Sequence, residues 1–137
     1  MSGTDSDTGA VLVCGEHFDG HSDGLGGPVE ILVQGGVIRE IGPQVRRPRG
    51  ARVVDLGRHT VTPGFIDCHV HLTMNAANLA VQLLDSAATK ALTGLHIACQ
   101  YMERGFTTLR DLGSADPAWP TVDLRNALDG ASWRGRG

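Results

Sequence analysis

The stretch Val61-Thr-Pro-Gly-Phe-Ile-Asp-Cys-His-Val-His-Leu72 decides how the chain is read. Pro63 and Gly64 punctuate the backbone, and Phe65 to Leu72 follows as one short apolar run carrying Asp67, His69 and His71. Successive side chains on a strand point to opposite faces, so these three polar residues, spaced by two, share one face. Ile66, Cys68 and Val70 take the other face, which is apolar enough to pack beneath a layer of helices. A strand covered on both faces is normally apolar throughout. Two imidazoles and a carboxylate on one face therefore call for a reason. A metal ion supplies one, because neutral imidazole is a good ligand for zinc and His-x-His on a strand aims two nitrogens at one point. Asp67 is then placed either to orient a histidine or to sit near the ion. The plainer alternative is that the histidines are hydrogen-bonded core or surface residues that happen to alternate.

The bulk composition excludes several classes. With 137 residues the chain is one small domain or an incomplete piece of a larger one. It is 41% hydrophobic and 20% charged with a formal net charge of −3, which gives no support for a nucleic-acid or anionic-membrane partner. No apolar run approaches the roughly 20 residues that a transmembrane helix needs. Met1 to Ala10 is small and polar, with Asp5 and Asp7 where a signal peptide carries basic charge, so a cytoplasmic protein with a disordered start (residues 1–9) is expected. Cys14, Cys68 and Cys99 are odd in number and widely spaced, which suggests no disulfide framework. Cys68 and Cys99 read as small core residues.

Upstream of the motif the chain is β-prone. Ala10 to Cys14 is a short strand, and Gly15 to Pro28, rich in Gly and Asp, is a loop in which His17 and His21 are solvated. Val29 to Val33 and Val37 to Ile41 form a hairpin through Gln34-Gly35-Gly36, since glycine accepts the positive φ that tight hairpin turns require. Arg46, Arg47 and Arg49 around Pro48 make a basic loop, read as a solvated turn. Ala51 to Leu56 is a further strand, Gly57 turns, and His59 to Thr62 leads into the motif.

Downstream, a polar link (Thr73 to Asn78) precedes a long helical pattern ending at Arg104. Leu84, Ala88, Ala91, Leu95, Ala98 and Met102 recur at three and four residues as one apolar stripe. Gly105 stands where a helix C-cap belongs. Gly94 lies mid-helix at a cost of about 1 kcal/mol relative to Ala, which close approach of another element would justify. His96 is a helix-surface or packing residue. Gly105-Phe-Thr-Thr-Leu-Arg-Asp-Leu-Gly113 is the next strand and its exit, so strand, helix and strand make a βαβ unit with parallel strands. Asp111, at the end of that strand, either supports the site from behind or caps the following turn. Val122 to Leu128 begins a second helix.

Pro-Gly-Phe-Ile-Asp-x-His-x-His resembles the opening signature of the amidohydrolase superfamily, metal-dependent hydrolases built on a TIM-type barrel. Val-Ile-Arg-Glu-Ile-Gly, Val-Val-Asp-Leu-Gly-Arg-His-Thr-Val-Thr-Pro-Gly-Phe-Ile-Asp and Gly-Phe-Thr-Thr-Leu-Arg-Asp are similar to that family's phrases and occur in its order. The resemblance implies an α/β protein: a small β-sandwich-like N-terminal unit (10–62), then the start of a (β/α) barrel (63–129) with its first two β/α units. It implies His69 and His71 as ligands of a divalent metal, by ligand type zinc, with one or two ions in the complete enzyme. Asp67 and Asp111 are the candidate supporting residues. The implied reaction is hydrolysis of a C–N bond (amide, cyclic amide or peptide) in a small-molecule or dipeptide substrate. The phrasing is nearest the imidazolonepropionase-like and Xaa-Pro dipeptidase-like branch, and the complete enzyme is a candidate homo-oligomer.

A catalytic zinc needs about three protein ligands and an open position. The family's binuclear version adds a carboxylated lysine, two more histidines and an aspartate. Lys90, the one lysine, falls in the middle of the long helix and cannot serve as that bridge. A full barrel takes about 250 residues, so the stretch after Thr62 holds room for about two of its eight units. The general base and remaining ligands are therefore expected beyond Gly137. The unmatched tail (130–137) suggests a truncated or frame-shifted product, and the competing reading is an inactive fragment with no chemistry of its own.

Overall fold

The computed structural model describes residues 8–74, 84–114 and 116–130. They fall into two compact units, residues 1–63 and 64–137. The expected polar link and the start of the expected helical pattern fall largely on 75–83, and most of the tail on 131–137, outside the described residues.

The first unit is a four-stranded sheet of β1 (Ala10–His17), β2 (Val29–Gln34), β3 (Val37–Gly42) and β4 (Arg52–Val61), in the order β3-β2-β1-β4. Among the described residues the sandwich-like unit is thus one sheet. The β2–β3 hairpin forms as expected: Gln34 pairs with Val37. Gly35 (φ 61°) and Gly36 (φ 73°) both take the positive φ of a type I′ turn. β1 runs antiparallel to β2 and parallel to β4. Val11, Leu32 and Val45 form its core, with Val13 against them.

Two boundaries differ from expectation. β1 continues through Gly15 to His17, and β4 runs unbroken through Gly57, where a turn was expected. The reason lies in a register shift between Cys14 and Glu16, where Gly15 approaches Gly57 so closely that a Cβ on it would meet the Gly57 carbonyl oxygen at 2.1 Å. Two glycines here serve a bulge between paired strands rather than two chain reversals. The basic loop is also more engaged than a solvated turn. Arg46 pairs with Glu40 and Arg47 with Glu30, while Glu30 accepts the Val45 N–H at 3.1 Å and so holds Val45 on the core. Asp19 closes the loop between β1 and β2, accepting from the His21 and Ser22 amides and the Ser22 hydroxyl. Those bonds, led by the Ser22 and His21 amides, bring its carboxyl down to about 2.

The second unit contains β5 (Phe65–Val70), α1 (Ala87–Glu103), β6 (Phe106–Asp111) and α2 (Pro120–Gly130). β5 and β6 pair in parallel, as the βαβ reading requires. Ser86 caps α1 by accepting the Thr89 amide at 3.1 Å. Gly105 (φ 91°) ends it, its N–H reaching the Met102 carbonyl at 3.0 Å. Val70, Leu72 and Leu124 form the core, with Leu95, Ile97, Ala98, Tyr101 and Leu109 packed around them.

The buried face of α1 differs from the expected stripe. Lys90 and Gly94 are its buried residues, whereas Leu84 is 86% and Met102 59% exposed. Gly94 wins the inner position because it permits the closest approach. A Cβ there would stand 2.9 Å from Leu124 Cδ2, 3.0 Å from Thr73 Cγ2 and 3.3 Å from the Leu72 carbonyl oxygen. Lys90 is inward because it has a partner: its Nζ meets Asp116 Oδ2 at 2.5 Å, with the two side chains 7% and 13% exposed. That bond, with the Ala118 N–H on the other oxygen, holds the Asp116 carboxyl below its usual range. The helices cover only the C-terminal end of β5. Val70 is buried, but Ile66 is 64% exposed and Cys68 is exposed too, against the expectation that both pack under helices.

Two outcomes follow. Gly94→Ala gains about 1 kcal/mol of helix propensity but overpacks a filled contact at about 1–3 kcal/mol, so urea unfolding should show a net loss of about 1 kcal/mol. Because the folded Asp116 pKa is depressed, its contribution is present above the unfolded carboxylate value and is lost as pH falls through the lower folded value. The melting-temperature advantage of the wild type over Lys90→Met should therefore be largest near neutrality and shrink in acid.

Candidate metal centre

The motif sits where β5 ends. Val70 and Leu72 turn inward to the helix-covered core, so alternation sends His69 and His71 outward, and both are exposed. Their rings lie side by side, with centroids 5.4 Å apart and planes at 78°. The two imidazoles are thus brought together, as the His-x-His spacing requires. Among the described residues no third His, Cys, Asp or Glu joins them in a metal-sized cluster.

His71 is held by a defined partner. Its Nδ1 lies 2.8 Å from the Gly113 carbonyl oxygen. A carbonyl only accepts, so a neutral ring making this bond has its proton on Nδ1 and leaves the Nε2 lone pair for a cation. This is the arrangement by which a ligating histidine is commonly oriented, through its second nitrogen. The sequence marks Gly113 only as the strand exit and does not show that its carbonyl accepts from the His71 ring. The available signal was the Asp-Leu-Gly triplet, because Asp can accept an amide two residues on and Gly takes the φ of 96° found here.

Asp111 caps the turn after β6 and also reaches the exit of β5. Its Oδ1 accepts the Gly113 N–H at 2.6 Å, which caps the turn, and its Oδ2 accepts the Leu72 N–H at 2.8 Å, across from β6 to the exit of β5. The Leu112 N–H adds a bond to the Val70 carbonyl at 3.0 Å. Asp67 acts through the backbone: its Oδ1 accepts the His69 N–H at 3.0 Å. The β5–β6 ladder loses register between Asp67 and Val70, which leaves that amide to a side chain.

The other candidates are accounted for elsewhere. His17 Nδ1 lies 2.9 Å from the Gly27 carbonyl and its ring covers Gly26, within the first unit. His96 Nε2 lies 3.2 Å from Gln100 Nε2, one turn on along the exposed side of α1. A groove of about 590 Å³ opens between α1, β6 and α2, lined by apolar groups such as Leu95, Met102, Phe106 and Leu128; His69 and His71 are not among its walls.

Comparison with known proteins bears on this geometry. A model of the Amidohydrolase family matches residues 60–134, a span that includes His69, His71, Asp67, Asp111, α1 and α2. Dihydroorotase from Geobacter sulfurreducens is 44% identical over 62 residues, covering 45% of this chain and 15% of that protein. Dihydroorotase from Mycobacterium tuberculosis is 38% identical over 71 residues, 52% of this chain and 16% of that protein. Among solved structures, a Xaa-Pro dipeptidase with bound methionine superposes with a TM-score of 0.76 at 25% identity, over 93% of this chain and 31% of that one. A prolidase complexed with N-methylphosphonate-L-proline gives 0.73 at 32% identity, over 90% of this chain and 29% of that one. The chain thus spans under a third of those two structures, and its match to the two dihydroorotases about 15% of theirs. The matched span exceeds half of the sequence and contains the whole β5–α1–β6–α2 unit, and on that ground the chain belongs to the amidohydrolase family.

Proposed function

We propose that this chain contributes the first ligands of a divalent-metal site in a hydrolase that cleaves a C–N bond of a small molecule. The observation that carries the reading is the adjacent pair of imidazoles in which the Gly113 carbonyl holds the His71 Nδ1–H and so frees Nε2. The donor set fits the ion: two neutral nitrogens suit zinc and similar cations, and each histidine has its backbone or ring fixed by a neighbouring group. His69 and His71 would hold the cation, with residues 63–129 as the opening of the barrel. When bound, such an ion makes water more acidic and polarises a scissile carbonyl. Asp67 keeps the His69 backbone in place, and Asp111 with Gly113 keeps the His71 ring turned with Nε2 outward. The ligands seen here are fewer than a catalytic site needs, so the set is completed by residues outside those described.

The relatives' names, dihydroorotase on one side and Xaa-Pro dipeptidase or prolidase on the other, support an amide, cyclic amide or peptide as substrate. Family membership favours this reading over a chain without chemistry.

Calorimetric titration with Zn²⁺ or Co²⁺ tests the proposal. His69→Ala and His71→Ala should each weaken binding by more than the roughly 10–100-fold that loss of an outer-shell partner costs, and the same variants should depress hydrolysis of cyclic-amide and Xaa-Pro substrates by the enzyme containing this chain. Metal affinity untouched by both substitutions would sink it.

A further inference from the structure

The carboxylate of Asp111 holds two backbone amides, and both lead to His71. One oxygen holds the Gly113 amide and the other the Leu72 amide, at 2.6 and 2.8 Å. Gly113 in turn presents its carbonyl to His71 Nδ1 at 2.8 Å, and Leu72 is the residue directly after His71. The carboxylate therefore grips the peptide group on each side of a closed circuit: Asp111 to Gly113, Gly113 to the His71 ring, His71 through the backbone to Leu72, and Leu72 back to Asp111. Both amides are given to ionised-type acceptor oxygens, which make stronger bonds than neutral ones.

From this we propose that Asp111 is a positioning residue that selects the tautomer of His71. The inference rests on the reading of His71 as a ligand only for its biological meaning; the tautomer itself is a property of the metal-free chain. With Asp111 in place, the Gly113 carbonyl stays fixed beside Nδ1, and the ring keeps its proton there. Without it, the Leu112–Gly113 exit loses its hold on the Leu72 amide and on its own turn. The carbonyl then wanders from the ring, and His71 is free to exchange its proton between the two nitrogens. A ligand whose Nε2 is protonated for part of the time binds a cation correspondingly more weakly.

Long-range ¹H–¹⁵N correlation spectra of the neutral imidazole in the ¹⁵N-labelled chain, recorded without metal above pH 7, read the tautomer directly. In the wild type, His71 should appear as the Nδ1–H form, while exposed His96 serves as an internal comparison. Asp111→Asn keeps one acceptor oxygen and loses the other, and should shift the His71 ratio roughly fivefold toward Nε2–H, about the effect of losing one hydrogen bond. Asp111→Ala should shift it at least as far. Lost stability alone would leave the ratio of the folded population unchanged. A wild-type His71 in the Nε2–H form would overturn the proposal even if neither variant folded. So would a folded Asp111→Asn protein with the wild-type ratio. Neither result depends on metal binding, so the proposal can fail while the hydrolase reading stands, and the reverse.

Discussion

The second unit depends on one carboxylate accepting two backbone amides from two different strand exits. A parallel pair of strands has no turn to join its ends, and the connection returns through a whole helix. The exits of β5 and β6 are therefore free to splay unless something ties them. Asp111 does so, with the Leu112 to Val70 backbone bond beside it. The histidines stand on the part of the chain beside this tie. Their geometry draws on this tie together with their own bonds, the His71 ring to the Gly113 carbonyl and the His69 amide to Asp67.

Packing from the opposite side completes the support. Leu72 and Val70 are sealed by α1 and α2, and Gly94 lets the first helix come within contact of the Leu72 carbonyl. Lys90 and Asp116 join α1 to the loop that precedes α2. A buried ion pair of this kind is weak evidence for net stability, but it is strongly selective for one arrangement, since a lone buried ammonium is costly. The motif is thus clasped between a polar tie at the strand ends and an apolar layer beneath.

Much of this was legible in the sequence, and for identifiable reasons. The hairpin could be read because Gly35-Gly36 has few other uses between two β-prone runs, and the βαβ unit because period two gives way to period 3.6 and back. The pairing of His69 with His71 followed from strand alternation. What escaped reading were contacts between distant positions. Nothing local distinguishes Gly57 as a bulge partner of Gly15 from Gly57 as a turn. Nor does the helical stripe show that Lys90, a residue normally outside, turns inward to meet Asp116. The expected burial of Ile66 and Cys68 failed because it assumed cover along the whole strand, whereas the described helices reach only its end.

The break in the β5–β6 ladder between Asp67 and Val70 has a bearing on motion. Along an unbroken ladder, opening one rung is opposed by those above and below. Here the His69 amide hangs on Asp67 and the Leu72 amide on Asp111, so this tip is decoupled from the rungs beneath it. It forms a small cooperative patch of its own, which can loosen or stiffen without the sheet below unzipping. A cation gripped by the two rings would then be felt chiefly as a quieting of this tip, leaving the rest of the strand as it was.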